Sequence, residues 1–140
     1  MAFTAQRVDT WAASIKDTPG SLAGKLSALA EAGANLEFVI ARRRAEKPGQ
    51  AVVFVTPIKG GTESRAARKA GFAKTKSLHT VRIEGPDKAG RGATIAQALA
   101  AKGLNLRGLS AAAMGTKFVA HIALDTSAEA AKAVRILKAL

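Results

Sequence analysis

The sequence contains no cysteine and no tyrosine, and only one tryptophan and five phenylalanines among 140 residues. Without cysteine there are no disulfides, no thiolate metal sites and no cysteine nucleophile. Just two histidines occur, His79 and His121. Neither has a second metal ligand at a recognisable spacing, so no metal, no cofactor and no catalytic residue is expected. No apolar run approaches the roughly 20 residues that a membrane helix requires. The stretch Met1–Asp9 shows no apolar segment ending in a cleavage site. A cytoplasmic protein without membrane contact is therefore expected.

Acidic residues are also scarce. Ten Asp and Glu stand against 22 Lys and Arg, a net charge of +12. The excess is concentrated between Arg42 and Lys76, where ten basic residues face only Glu46 and Glu63. Such a window suits either a solvated face that aids solubility or a weak, salt-sensitive contact with nucleic acid. RNA recognition on a sheet uses interleaved aromatics. Here Phe54 and Phe118 are the only aromatics on the two expected central strands, so nucleic acid is the less favoured partner.

What the sequence does have is an internal repeat. Offset by 70, Asp17–Leu36 falls on Asp87–Leu106 without a gap, and nine of the twenty positions are identical. They include Asp17/Asp87, Gly20/Gly90, Gly33/Gly103 and Asn35/Asn105. Alanine richness explains some of the matches but not an Asp, two Gly and an Asn in fixed register. Two domains follow, residues 1–77 and 78–140.

Each unit can be built from local signals. Trp11, Ala13 and Ile15 alternate with Ala12, Ser14 and Lys16, as Val81 and Ile83 do with Arg82 and Glu84, which predicts strands with one buried face. Breakers follow at Asp17-Thr18-Pro19-Gly20. Leu22, Leu26 and Leu29 then recur at helical spacing until Gly33, and Ile95 and Leu99 do so until Gly103. Alanines 23, 30, 93, 96 and 100 are expected to let these helices sit close to a sheet. Leu36, Phe38 and Ile40 predict the inner face of a second strand, with Trp11 and Phe38 in the core. A turn at Pro48-Gly49 leads into the strand Ala51–Val55, and Thr62–Ala70 predicts a short helix. Phe72–Ser77 fits a fourth strand or a connector. The second copy gives strands near Leu104–Ala112 and Lys117–Leu124, then a helix with Ser127 as its N-cap.

The fold class is thus α+β, with two ferredoxin-like βαββαβ repeats on antiparallel sheets. The second repeat lacks its last strand, unless the Phe3–Val8 segment or another chain supplies it. An open edge must be paired, covered or blunted, so tight packing and a homo-dimer are expected.

The segments Ile15–Ala23 and Ala32–Leu36, with the copies Gly85–Gly90 and Lys102–Leu106, resemble the ACT domain, an amino-acid-sensing module of metabolic enzymes. The resemblance spans nearly the whole chain and departs from the family pattern at Ala89, where proline is usual. It implies a non-catalytic regulatory protein that binds a small amino-acid effector and modulates a partner enzyme or regulator. A basic ferredoxin-like nucleic-acid-binding protein is the alternative. The glycine turn itself favours an anion, because the first N–H groups of a helix lack partners and the helix dipole adds positive potential. Asp17 or Asp87 can accept from an α-ammonium, although both also suit a plain turn or cap. The resemblance implies two composite sites. One joins Asp17, Thr18, Pro19 and Gly20 to Asn105; the other joins Asp87, Lys88, Ala89, Gly90 and Arg91 to Asn35. Gly92 and Arg91 stand where Leu22 and Ser21 stand, so the second turn is roomier, more cationic and suited to an acidic or larger amino acid.

Overall fold

The computed structural model describes residues 3–140. The expectations that touch Met1 and Ala2, namely the missing leader and the start of the first domain, lie outside the described residues there. In chain order the elements are β1 (Thr4–Val8), β2 (Trp11–Lys16), α1 (Ser21–Glu31), β3 (Phe38–Arg43), β4 (Gln50–Thr56) and α2 (Gly60–Lys69), then β5 (Ala73–Lys74), β6 (His79–Pro86), α3 (Arg91–Ala101), β7 (Gly108–Met114), β8 (Lys117–Leu124) and α4 (Ser127–Lys138). They form two compact units, residues 9–75 and residues 76–140 with the N-terminal segment.

The 9–75 unit carries a four-stranded antiparallel sheet in the order β3-β4-β2-β5. Trp11 and Ala13 lie opposite Val55 and Val53 and point to one face. Leu29 of α1 and Ala67 of α2 bury against them, with Leu22 and Leu26 packed alongside. The apolar stripe of α1 thus meets the buried parity of β2, which is the arrangement the alternating pattern demands. Arg68 and Lys74 lie over the Trp11 ring, 5.3 and 5.9 Å from its centre.

The second unit repeats this order as β1-β6-β8-β7. Its fourth strand is β1, which runs antiparallel to β6 with Ala5 opposite Ile83. Phe3 and Ala5 are buried in the core with Val81, Ile83, Ile95, Leu99, Ile122 and Leu137. The N-terminal segment therefore fills the place left open after α4. It belongs with the second repeat rather than with residues 9–77, because its apolar face and its backbone bonds are both satisfied at β6.

Three local expectations change. Phe38 and Ile40 lie opposite Thr56 and Phe54, the face of the sheet turned away from Trp11 and the helices. A bend at Glu37, whose N–H donates to the Thr56 carbonyl, reverses the parity after Leu36. Ala23, Ala30, Ala93 and Ala100 are exposed and Ala96 is half-buried, so leucine and isoleucine, not alanine, set the distance of helix from sheet. The N-cap of α4 is Thr126, whose hydroxyl accepts from the Glu129 N–H at 3.1 Å.

Candidate functional site

The two Asp-to-Gly turns share three backbone bonds, and the first adds one from the Thr18 N–H to the Lys16 carbonyl at 2.9 Å. The Asp17 N–H donates to the Gly49 carbonyl at 3.0 Å, and that of Asp87 to Thr116 at 2.8 Å. Each turn then closes with a 3.3 Å bond, Ser21 N–H to Thr18 and Arg91 N–H to Lys88. Gly20 and Gly90 precede their helices at φ +87° and +86°, a left-handed conformation that disfavours any residue with a Cβ. The first α-helical bonds follow at once, Gly24 N–H to Gly20 and Thr94 N–H to Gly90. Neither helix has a side-chain cap. The N–H groups of Leu22, Ala23, Gly92 and Ala93 find no acceptor among the described residues. Each turn therefore presents a glycine-lined, positively polarised backbone corner.

Their side chains differ. Arg43 of β3 holds the Asp17 carboxylate at 2.7 Å. Thr18 Oγ1 and Ser21 Oγ are 2.8 Å apart, and Pro19 is exposed. In the second turn Asp87, Lys88 and Ala89 are exposed, and Asp87 has no ion-pair partner among the described residues. Arg91 folds back, its Nε donating to the Pro86 carbonyl at 3.0 Å and its guanidinium lying 4.8 Å from the Phe3 ring centre. An open cleft of about 460 Å³ adjoins Pro86, lined by Thr4, Glu84, Gly85, Thr116 and Lys117. In it the Glu84 carboxylate meets Arg82 at 3.0 Å and Lys117 at 3.5 Å. The hydrogen bond and charge of Arg82, helped by Lys117, hold the Glu84 carboxyl below its ordinary range.

Asn35 and Asn105 are exposed, each past the other end of its own helix. Eleven helical residues separate turn and asparagine within a unit, about 16 Å at 1.5 Å per residue. A repeat does not bring its own turn and asparagine around one small ligand. Arg43 and the cleft residues escaped the sequence reading. Arg43 was visible only as one charge in the basic run, and nothing in the linear pattern sets it beside Asp17.

Among the described residues no group of three or more His, Asp or Glu is placed to hold a metal ion. His121 is buried mid-strand opposite Arg82, and His79 pairs with Arg7 at 3.4 Å. No helix among the described residues is long and apolar enough to cross a membrane.

No protein-family model matches the sequence, and no curated protein matches it. Solved structures do. A protein from Bacteroides thetaiotaomicron superposes with a TM-score of 0.77 at 16% identity, covering 94% of this chain and 89% of that one. The regulatory subunit of aspartate kinase from Thermus thermophilus gives 0.63 at 19% identity, over 98% and 95% of the two chains. Its counterpart from Thermus flavus gives 0.61 at 20%, with the same coverage. The chain has the fold of a tandem ACT module, two βαββαβ-type units in which the fourth strand of the second is drawn from the N-terminus.

Proposed function

We propose that this chain is a non-catalytic regulatory module that binds a small amino-acid effector and transmits its presence to a partner enzyme or regulator. The observation that carries the reading is the duplication of one backbone corner, with three shared backbone bonds, the same left-handed glycine and the same uncapped helix start. A structural turn could be capped by any Ser, Thr, Asn or Asp. Keeping two helix starts free of a side-chain cap leaves N–H donors for an exogenous carboxylate.

The second corner is the stronger candidate for a zwitterion. Its Asp87 carboxylate is open to an ammonium group, whereas Asp17 already neutralises Arg43. Lys88 and Arg91 flank it, which favours an acidic side chain on the effector. Because turn and asparagine of one repeat stand a helix apart, a site using both must draw Asn35 or Asn105 from a different repeat than the turn. The likeness to regulatory subunits of aspartate kinase supports a role in which effector and catalysis reside on different domains. The nucleic-acid alternative loses support at the sheet faces. Phe118 is buried in a core, and Phe54 and Phe38 are half-buried, leaving no exposed aromatic row.

The test is a thermal-shift screen of the twenty amino acids on the full chain. A ligand that binds only the folded state raises its stability by mass action, about 2.7 kcal/mol at a hundredfold excess over Kd. One or a few amino acids are expected to stabilise the protein, and Asp87→Asn to abolish that shift while Asp17→Asn retains it. No shift with any amino acid removes the reading.

A further inference from the structure

The basic window of residues 42–76 plays no part in amino-acid binding, and in the fold it divides. At its start Arg43 and Arg44 are engaged, with Asp17 at 2.7 Å and Glu46 at 2.8 Å. Further along, α2 carries Arg65, Arg68 and Lys69, all exposed, and β5 ends in Lys74. At 3.6 residues per turn the three α2 cations fall within one arc of about 100°, on the side opposite the buried Ala67. Gly61 and Thr62, also exposed, share that arc; no acidic or large apolar residue of α2 does. The acid of the first turn, Glu63, is half-buried and accepts from the Lys59 N–H at 2.9 Å.

Neither solubility nor helix stability accounts for this arc. Surfaces that aid solubility intersperse the two signs, and like charges one turn apart, Arg65 with Arg68 and Lys69, destabilise a helix. Arg68 and Lys69, in the last turn, suit the negative end of the helix dipole. Arg65 does not: its Nη1 reaches back to the first turn, 3.0 Å from where a Cβ on Gly61 would stand. Among the described residues Arg65 and Lys69 have no ion pair. Arg68 and Lys74 are held over the Trp11 ring, which orders them before any partner arrives. Two carboxylates border the patch. Asp9 lies 3.4 Å from Lys74, and Glu31 shares with Lys69 an open cleft between α1 and α2.

We propose that this face of α2, with Lys74, binds duplex DNA through its phosphates without reading sequence. The partner follows from what the face lacks. A protein interface is built around an apolar core poor in lysine. The large apolar side chains open to solvent, Val39, Leu109 and Met114, all lie on other elements. Single strands are held by stacking bases on aromatics, but α2 has none and Trp11 is 1% exposed beneath its two cations. Duplex DNA requires neither, since it presents one phosphate about every 1.7 Å of its axis to cations on a helix about 15 Å long. A helix fits the major groove of B-DNA, whereas that of duplex RNA is too narrow for side chains to read. The contact is independent of the glycine corners and stands whether or not an amino acid binds there.

Fluorescence anisotropy of a labelled duplex of about 20 base pairs, titrated with the full chain between about 50 and 200 mM salt, tests this. Four phosphate contacts give a slope of log affinity on log salt of about −3.6. Arg65→Gln with Lys69→Gln should flatten the slope by about 1.8 and weaken binding at least about tenfold at the lower salt. Lys102→Gln with Lys138→Gln removes the same charge from exposed positions of the other unit and should leave the slope unchanged. Absence of binding at the lower salt overturns the proposal, as does a slope flattened equally by both pairs. Tighter binding of single-stranded DNA or duplex RNA of the same length also overturns it. Should the Arg65 and Lys69 variant melt early, lysine acetylation of the wild type decides. The duplex should shield Lys69 and Lys74 and leave Lys102 and Lys138 open, and equal labelling of the two pairs refutes the assignment.

Discussion

At Gly20 and Gly90 the backbone turns with positive φ, and a Cβ built at either position meets no atom within 4 Å. The cost of a side chain there is conformational, not steric. Gly90→Ala should therefore destabilise the protein by about 1–2 kcal/mol, visible as a lower melting temperature. The strain falls on the backbone of the corner proposed to receive a carboxylate, so the variant should also lose any amino-acid-induced shift. A second residue-scale prediction concerns Glu84. Its folded value lies below the ordinary 4.5 because Arg82 bonds the ionised form. The stabilisation is therefore complete above about pH 4.5 and lost as pH falls through the lowered value. Glu84→Gln should melt below wild type at neutral pH and converge with it in acid, in melts taken across that range. The pair is partly exposed, so the difference will be small.

Among the elements, α4 shows how close sequence reasoning comes and where it slips. Thr126 and Ser127 are both good N-cap types, and the sequence alone does not separate them. In the fold Thr126 is extended and caps Glu129, while the Glu129 carboxylate accepts from the threonine hydroxyl at 3.2 Å, a reciprocal arrangement. Ser127 instead accepts from Arg7 of β1. Thr126→Ala should thus cost about 1 kcal/mol in chemical denaturation, whereas Ser127→Ala loses only an exposed side-chain contact and should cost less. The repeat, its helices and its turns were legible because they rest on local spacing and on glycines at fixed positions. The face presented by β3 was not. Strict alternation from Leu36 puts Phe38 and Ile40 inside, and the bend at Glu37 that reverses them answers to the pairing with β4, a partner thirteen or more residues away. Arg43 reaches Asp17 for the same non-local reason, so the candidate site was legible in its backbone and not in its charges.

For the whole molecule the decisive element is a strand of five residues at the far end of the sequence from the sheet it completes. The alternation in Phe3–Val8 is too short to name a partner, which only the empty edge beside β6 reveals. That edge makes the N-terminus structural. Phe3 is 6% exposed and stacks under Arg91, the first residue of α3, so it ties the N-terminus to the second glycine corner. Phe3→Ala should cost about 3–5 kcal/mol, the usual penalty for emptying a phenylalanine site in a core. The two cores share no residue, and the single tryptophan, Trp11, lies in the 9–75 unit. Trp11 fluorescence and amide exchange in β6 and β8 therefore report on different cores. In Phe3→Ala the β6 and β8 amides should exchange faster by a factor of 100 or more on the order of this penalty, while the Trp11 unfolding transition moves less. Equal displacement of both would mean that the strand supports the entire chain, and that the repeats unfold as one.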